Sequence, residues 1–74
     1  MSALPVVSGR EVVKALEKIG NVFDRQRGSH MILRQQNPPH RRLTVPDHKE
    51  VAKGTLRAIL RQAGLTVEEF NDLL

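Results

Sequence analysis

The stretch Asn21-Val22-Phe23-Asp24-Arg25-Gln26-Arg27-Gly28-Ser29-His30-Met31-Ile32-Leu33 decides the fold. Arg27-Gly28 has the chemistry of a tight turn, because glycine takes φ > 0 without a Cβ clash. Residues 21–26, ahead of the turn, are short and partly alternating and read as a first strand. Residues 29–35, behind it, read as a second. His30 is then the first or second residue of a strand leaving a hairpin, a rigid and accessible place for an imidazole. Parity puts His30, Ile32 and Arg34 on one face of that strand, and Ser29, Met31 and Leu33 on the other. Met31 and Leu33 are expected to face the core. Ile32 is then an exposed apolar residue beside His30.

Upstream, Ser8-Gly9-Arg10-Glu11 is a capping box, in which the serine hydroxyl and the glutamate carboxylate each satisfy the other's backbone N–H. Val7 and Val12 stand where a hydrophobic staple would. Val12, Val13, Leu16 and Ile19 then recur at a helical period, and Gly20 closes the run, predicting a helix over 9–19. Downstream, Gln36-Asn37-Pro38-Pro39-His40 is a loop, since prolines cannot donate to a ladder. Arg42-Leu43-Thr44-Val45 alternates as a third strand, ended by Pro46, with residues 47–54 as a connector. Thr55 is read as the cap of a second helix, 56–63, with Leu56, Ile59, Leu60 and Ala63 inward and Gly64 at its end. Thr66-Val67-Glu68-Glu69 is a second capping box, opening a short helix with Phe70, Leu73 and Leu74 apolar. Strands grouped between helices predict an α+β fold with helices on one face of a three-stranded antiparallel sheet.

Seventy-four residues allow one small domain, 1–74, whose core buries only about 60% of the unfolded chain's surface. No cysteine is present, so disulfides and thiolate metal sites are excluded. Residues 1–63 hold all 12 Lys/Arg and five of the eight acids, while Glu68, Glu69 and Asp72 stand in a tail with no cation. A basic body with an acidic tail fits nucleic acid as a partner better than an acidic small molecule. Met1-to-Val7 has neither a basic start nor a long apolar run, so it does not read as a signal peptide. No window reaches the roughly 18 apolar residues of a spanning helix. A cytoplasmic location is the expectation.

His30, His40 and His48 are separated by gaps that match no zinc-ligand spacing, so no metal site and no cofactor are expected. His30 is the general acid/base candidate, because the hairpin fixes its backbone and Arg25 and Arg27 flank it. Ser29 has no triad partners in the sequence and fits a hydrogen-bonding role at the turn. Two basic stripes recur every four residues: Arg10, Lys14 and Lys18, and Lys53, Arg57 and Arg61. The first reads as a solvated helix face. The second starts where a helix N-terminus offers unpaired N–H groups, and suits phosphates. Phe23 and Phe70 are the only aromatics and both are assigned to the core, so base-stacking platforms are missing.

Four segments carry a resemblance: Ser8-Gly9-Arg10-Glu11-Val12-Val13; Arg27-Gly28-Ser29-His30; Val45-Pro46-Asp47-His48; and Gly54-Thr55-Leu56-Arg57, followed by Ile59-Leu60 and Ala63-Gly64. Together, in this order, they resemble the HicA (YcfA-like) toxin family over nearly the whole chain. The resemblance implies a double-stranded-RNA-binding-like fold, α-β-β-β-α. It implies a bacterial or archaeal toxin of a toxin–antitoxin system, a metal-independent endoribonuclease that cleaves mRNA with a single catalytic histidine. The histidine of its Gly-Ser-His motif maps to His30, with Arg25, Arg27, Ser29, Lys53, Arg57 and Arg61 as expected RNA contacts. A HicB-like antitoxin encoded nearby is the implied protein partner. The competing expectation is a non-catalytic RNA- or protein-binding module on the same fold.

Overall fold

The computed structural model of the chain describes residues 3–74; Met1 and Ser2, the start of the stretch read above for a leader, lie outside the described residues. Helix α1 spans Gly9–Glu17. Both arms of its capping box form, with the Glu11 amide donating to Ser8 Oγ at 3.1 Å and the Ser8 amide donating to Glu11 Oε1 at 2.9 Å. Val12, Val13 and Leu16 face the core. The helix ends earlier than its apolar period predicts. Lys18, Ile19 and Gly20 donate to carbonyls three residues back, and the Asn21 side chain donates to the Leu16 carbonyl at 3.0 Å. This tighter winding turns Ile19 out of the core, leaving it 42% exposed.

The sheet runs β1-β2-β3, with β1 over Asn21–Arg27, β2 over His30–Gln35 and β3 over Arg42–Pro46, all antiparallel. The hairpin turn sits one residue later than expected. It is Gly28-Ser29, closed by the pair Arg27↔His30. Gly28 has φ of 59° and Ser29 stays out of the positive region, the type II′ pattern. Met31 and Leu33 are buried as parity predicts, joined by Leu43 and Val45 of β3. Ile32 is half-buried rather than exposed, because Arg25 and Thr44 stand opposite it on the two neighbouring strands.

Strand β1 carries a bulge that the sequence does not announce. Phe23 pairs with Leu33 and Arg25 with Ile32, so Asp24 is the extra residue. A bulge resets the alternation of the strand beyond it. Here it transfers Arg25 and Arg27 to the outer face, the face of Ile32 and His30. Phe23 keeps to the inner side but on the free edge strand, beyond full cover by α1. It is 41% exposed, against the expectation of a core aromatic. Phe70 is fully buried as expected.

Helix α2 spans Lys53–Ala63 and ends on Gly64 in the left-handed conformation. It starts three residues before the predicted first residue, Leu56. Ala52, not Thr55, is the N-cap, and it makes no side-chain cap bond. The start is set from outside the helix: Val51 is buried and its amide donates to the Val7 carbonyl at 2.8 Å. Leu56 already donates to the Ala52 carbonyl at 2.8 Å, which places Thr55 inside the first turn. Helix α3, Val67–Leu73, opens with the expected Thr66/Glu69 capping box. No helix among the described residues is long and apolar enough to cross a membrane.

Candidate functional site

Where β3 leaves the sheet, the chain runs through Asp47 and His48 towards α2. Three backbone hydrogen bonds pin this passage. The Asp47 amide donates to the Ser29 carbonyl at 2.6 Å, the Gly9 amide donates to the His48 carbonyl at 2.9 Å, and Val51 donates to Val7. Gly9 is what permits the approach. A Cβ there would collide with the carbonyl oxygen of Pro46 and crowd its carbonyl carbon and the Met31 methyl. The first residue of α1 therefore lies directly against the exit of β3.

Asp47 ties the hairpin to this passage through its side chain as well. Its carboxylate accepts from Gln26 Nε2 at 3.0 Å and from Arg10 Nε at 3.3 Å. Gln26 Nε2 also donates to the Gly28 carbonyl at 3.1 Å, so one amide braces both turn and carboxylate. Hydrogen bonds from Arg10 and Gln26 hold the Asp47 carboxyl below its usual pKa. The residue before His30 is thus joined to the residue before His48 by a direct backbone bond, and the turn itself is clamped from below.

The outcome is an open cleft of about 290 Å³ lined by His30, Thr44, Pro46, His48, Ala52 and Thr55. His30 is exposed at the first position of β2, opposite Arg27 on one side and Pro46 on the other. Thr55, misread as a cap, lines this cleft from the first turn of α2. The amides of Lys53, Gly54 and Thr55 precede the first intrahelical bond, so the positive end of the helix dipole is at the cleft.

None of the expected RNA contacts lines this cleft, and the cationic ones fall into two separate groups, one on the sheet and one on α2. Arg25 and Arg27 lie on the outer sheet face with His30, exposed, and the register adds Arg34 and Arg42 to the same face. Arg34 is within 3.7 Å of the bulged Asp24. Lys53, Arg57 and Arg61 are exposed on α2, with Lys53 at its first turn and the other two about 6 and 12 Å further along the axis. Ser29 contributes its carbonyl to the Asp47 bond. The α1 stripe serves the fold instead. Arg10 is held by Asp47 and Lys18 donates to the Leu73 carbonyl at 2.6 Å.

His40 stands apart. It lies beyond the other end of β2, about 17 Å along the strand from His30, with Nδ1 3.1 Å from the Gln35 carbonyl. Among the described residues no three His, Asp or Glu side chains come together as a metal-ligand set. Sequence reasoning missed His48 and Thr55 as cleft residues and Gly9 as the residue that admits the approach. The signal present was the Val45-Pro46-Asp47-His48 motif, which gives no role without the three-dimensional neighbourhood.

A family model described as the HicA toxin of bacterial toxin-antitoxin matches residues 9–65 of the 74-residue chain. No curated protein matches the sequence. The chain belongs to the HicA toxin family.

Proposed function

We propose that this HicA-family toxin is an endoribonuclease that cleaves mRNA with His30 as its acid/base group, and that a HicB-like antitoxin neutralises it by covering that histidine. The observation that carries the reading is the position of His30. It is exposed, fixed by a two-residue turn, paired across the sheet with Arg27, and open to a cleft beneath the start of α2. An imidazole can exchange protons near neutral pH, and such a group contributes about 10²–10⁴-fold to a rate.

RNA carries its own nucleophile. The 2′-hydroxyl attacks the adjacent phosphorus, the 2′-oxygen–phosphorus bond forms, and the bond to the 5′-oxygen breaks. One proton leaves the 2′-hydroxyl and one is delivered to the departing 5′-oxygen. His30 is suited to the transfer at either oxygen. Arg25 and Arg27, on the sheet face of His30, supply positive charge for the phosphates nearest the cleft, and Lys53, Arg57 and Arg61, on the face of α2 turned away from Thr55, suit phosphates farther along the strand. With no aromatic platform on the outer face, recognition rests on backbone and shape. The direct test is induction of the wild type beside His30→Ala. The wild type should arrest growth and the variant should not. Equal arrest by both would remove His30 from the function.

A further inference from the structure

We propose that His48 is the second proton-transfer residue of the cleft, so that His30 and His48 divide the two transfers of RNA cleavage between them. This rests on the endoribonuclease reading above and gives that reaction its missing partner. One transfer removes the 2′-hydroxyl proton as the 2′-oxygen bonds to phosphorus. The other supplies a proton to the 5′-oxygen as its bond to phosphorus breaks. A single imidazole would have to serve two oxygens on opposite sides of the phosphorus in one displacement. Two imidazoles lining the same opening remove that difficulty.

Three observations carry the pairing. His30 and His48 line one cleft, while the third histidine, His40, belongs to the far end of β2. The backbone at His48 is fixed on both sides, by the Asp47 amide on the Ser29 carbonyl and by the Gly9 amide on the His48 carbonyl. The first of these bonds reaches the residue next to His30, so the two histidines are held to each other through the main chain. Gly9 is present at a place where any side chain would strike the Pro46 carbonyl, so the close approach that fixes His48 depends on that residue. Positioning of this kind is what proton transfer in a transition state requires.

The charged groups around the pair are few. Arg27 faces His30 from β1. Asp47 precedes His48 and is engaged by Arg10 and Gln26. Lys49 and Glu50 follow His48, and Lys53 opens α2; all three are exposed. Thr44, Pro46, Ala52 and Thr55, the rest of the lining, do not titrate in the range of histidine.

The experiment is cleavage of a labelled RNA oligonucleotide across pH 5–9 by wild type, His30→Ala, His48→Ala and His48→Gln. It is repeated on a substrate whose 5′-bridging oxygen is replaced by sulfur, a leaving group that needs no proton. His48→Ala and His48→Gln should each lose about 10²–10⁴-fold in rate on the natural substrate. Binding of a non-cleavable 2′-deoxy analogue should be unchanged. The pH–rate profile should lose one of its two limbs. The sulfur substrate should restore cleavage in only one of the two alanine variants, the one lacking the acid. A His48 variant that keeps the wild-type rate and both limbs, while His30→Ala is inactive, overturns the pairing and leaves the role of His30 standing. So does a rate loss accompanied by an equal loss of analogue binding in both His48 variants. RNA left intact by the wild type overturns both readings.

Discussion

Replacing Gly9 with alanine should destabilise the protein, although glycine is a poor helix residue and alanine the best. At an unconstrained helical position the exchange stabilises by about 0.5–1 kcal/mol, through lost freedom of the unfolded chain and better propensity. At Gly9 the new methyl would overlap the Pro46 carbonyl oxygen, with the Pro46 carbonyl carbon and Met31 Cε also in its way. Met31 can move its tip, but the carbonyl belongs to a buried strand end. Overpacking costs about 1–3 kcal/mol, and overlap with backbone rather than a movable side chain puts this site at the upper end, about 2–3 kcal/mol. The net expectation is a loss of about 1–2 kcal/mol, which for a domain of this size lowers Tm by about 4–16 °C. Gly54→Ala is the matched control. It also lies in a helix, nothing is within 4 Å of its added Cβ, and it should hold or raise Tm. Thermal unfolding followed by circular dichroism reads both. A Gly9→Ala protein as stable as wild type would refute the claim that α1 is seated directly on the exit of β3.

Three further outcomes follow from the same contacts. The folded-state pKa of Asp47 is depressed, so its contribution is present above the unfolded value and is lost as pH falls below about 4. Wild-type Tm should therefore drop more steeply than that of Asp47→Asn between about pH 5 and 2, and parallel curves would show that the Arg10–Asp47–Gln26 cluster adds nothing. Replacing Lys53, Arg57 and Arg61 together by Gln should weaken RNA binding and reduce the slope of log K against log salt by about two to three, since fewer counterions are released; an unchanged slope removes α2 from the RNA path. Co-expression with a HicB-like antitoxin should yield a complex in which amides around Gly28 to His30 are protected from exchange, and its association should slow with salt. Protection confined to Glu68, Glu69 and Asp72 would contradict antitoxin binding over His30.

The elements that carry their own local chemistry were legible in the sequence. Both capping boxes, the hairpin around Gly28 and the inward parity of Met31, Leu33, Leu43 and Val45 need only neighbours three residues away or the alternation of a strand. What was hidden depends on distant partners. The bulge at Asp24, which carries Arg25 and Arg27 to the face of His30, is a property of the β1–β2 pairing. Helix α2 begins at Lys53 because Val51 is tied to Val7, and that turned Thr55 from an expected cap into a cleft residue. Ile19 followed the helical period on paper, but Asn21 took the Leu16 carbonyl and the last turn tightened. Phe23 has the composition of a core residue and the address of an edge strand. His30 could be singled out as a candidate from its turn and motif, whereas the place of His48 in the same cleft could not be read, because only the fold brings residues 9, 29 and 47 together.

The most direct measurement of the central claim is cleavage of RNA by purified protein in EDTA, wild type against a His30→Ala variant shown by circular dichroism to be folded. The wild type should cut the RNA to products ending in a 2′,3′-cyclic phosphate, and the variant should be slower by about 10²-fold or more. Equal cleavage by the two proteins would contradict that claim, as would loss of wild-type activity in EDTA.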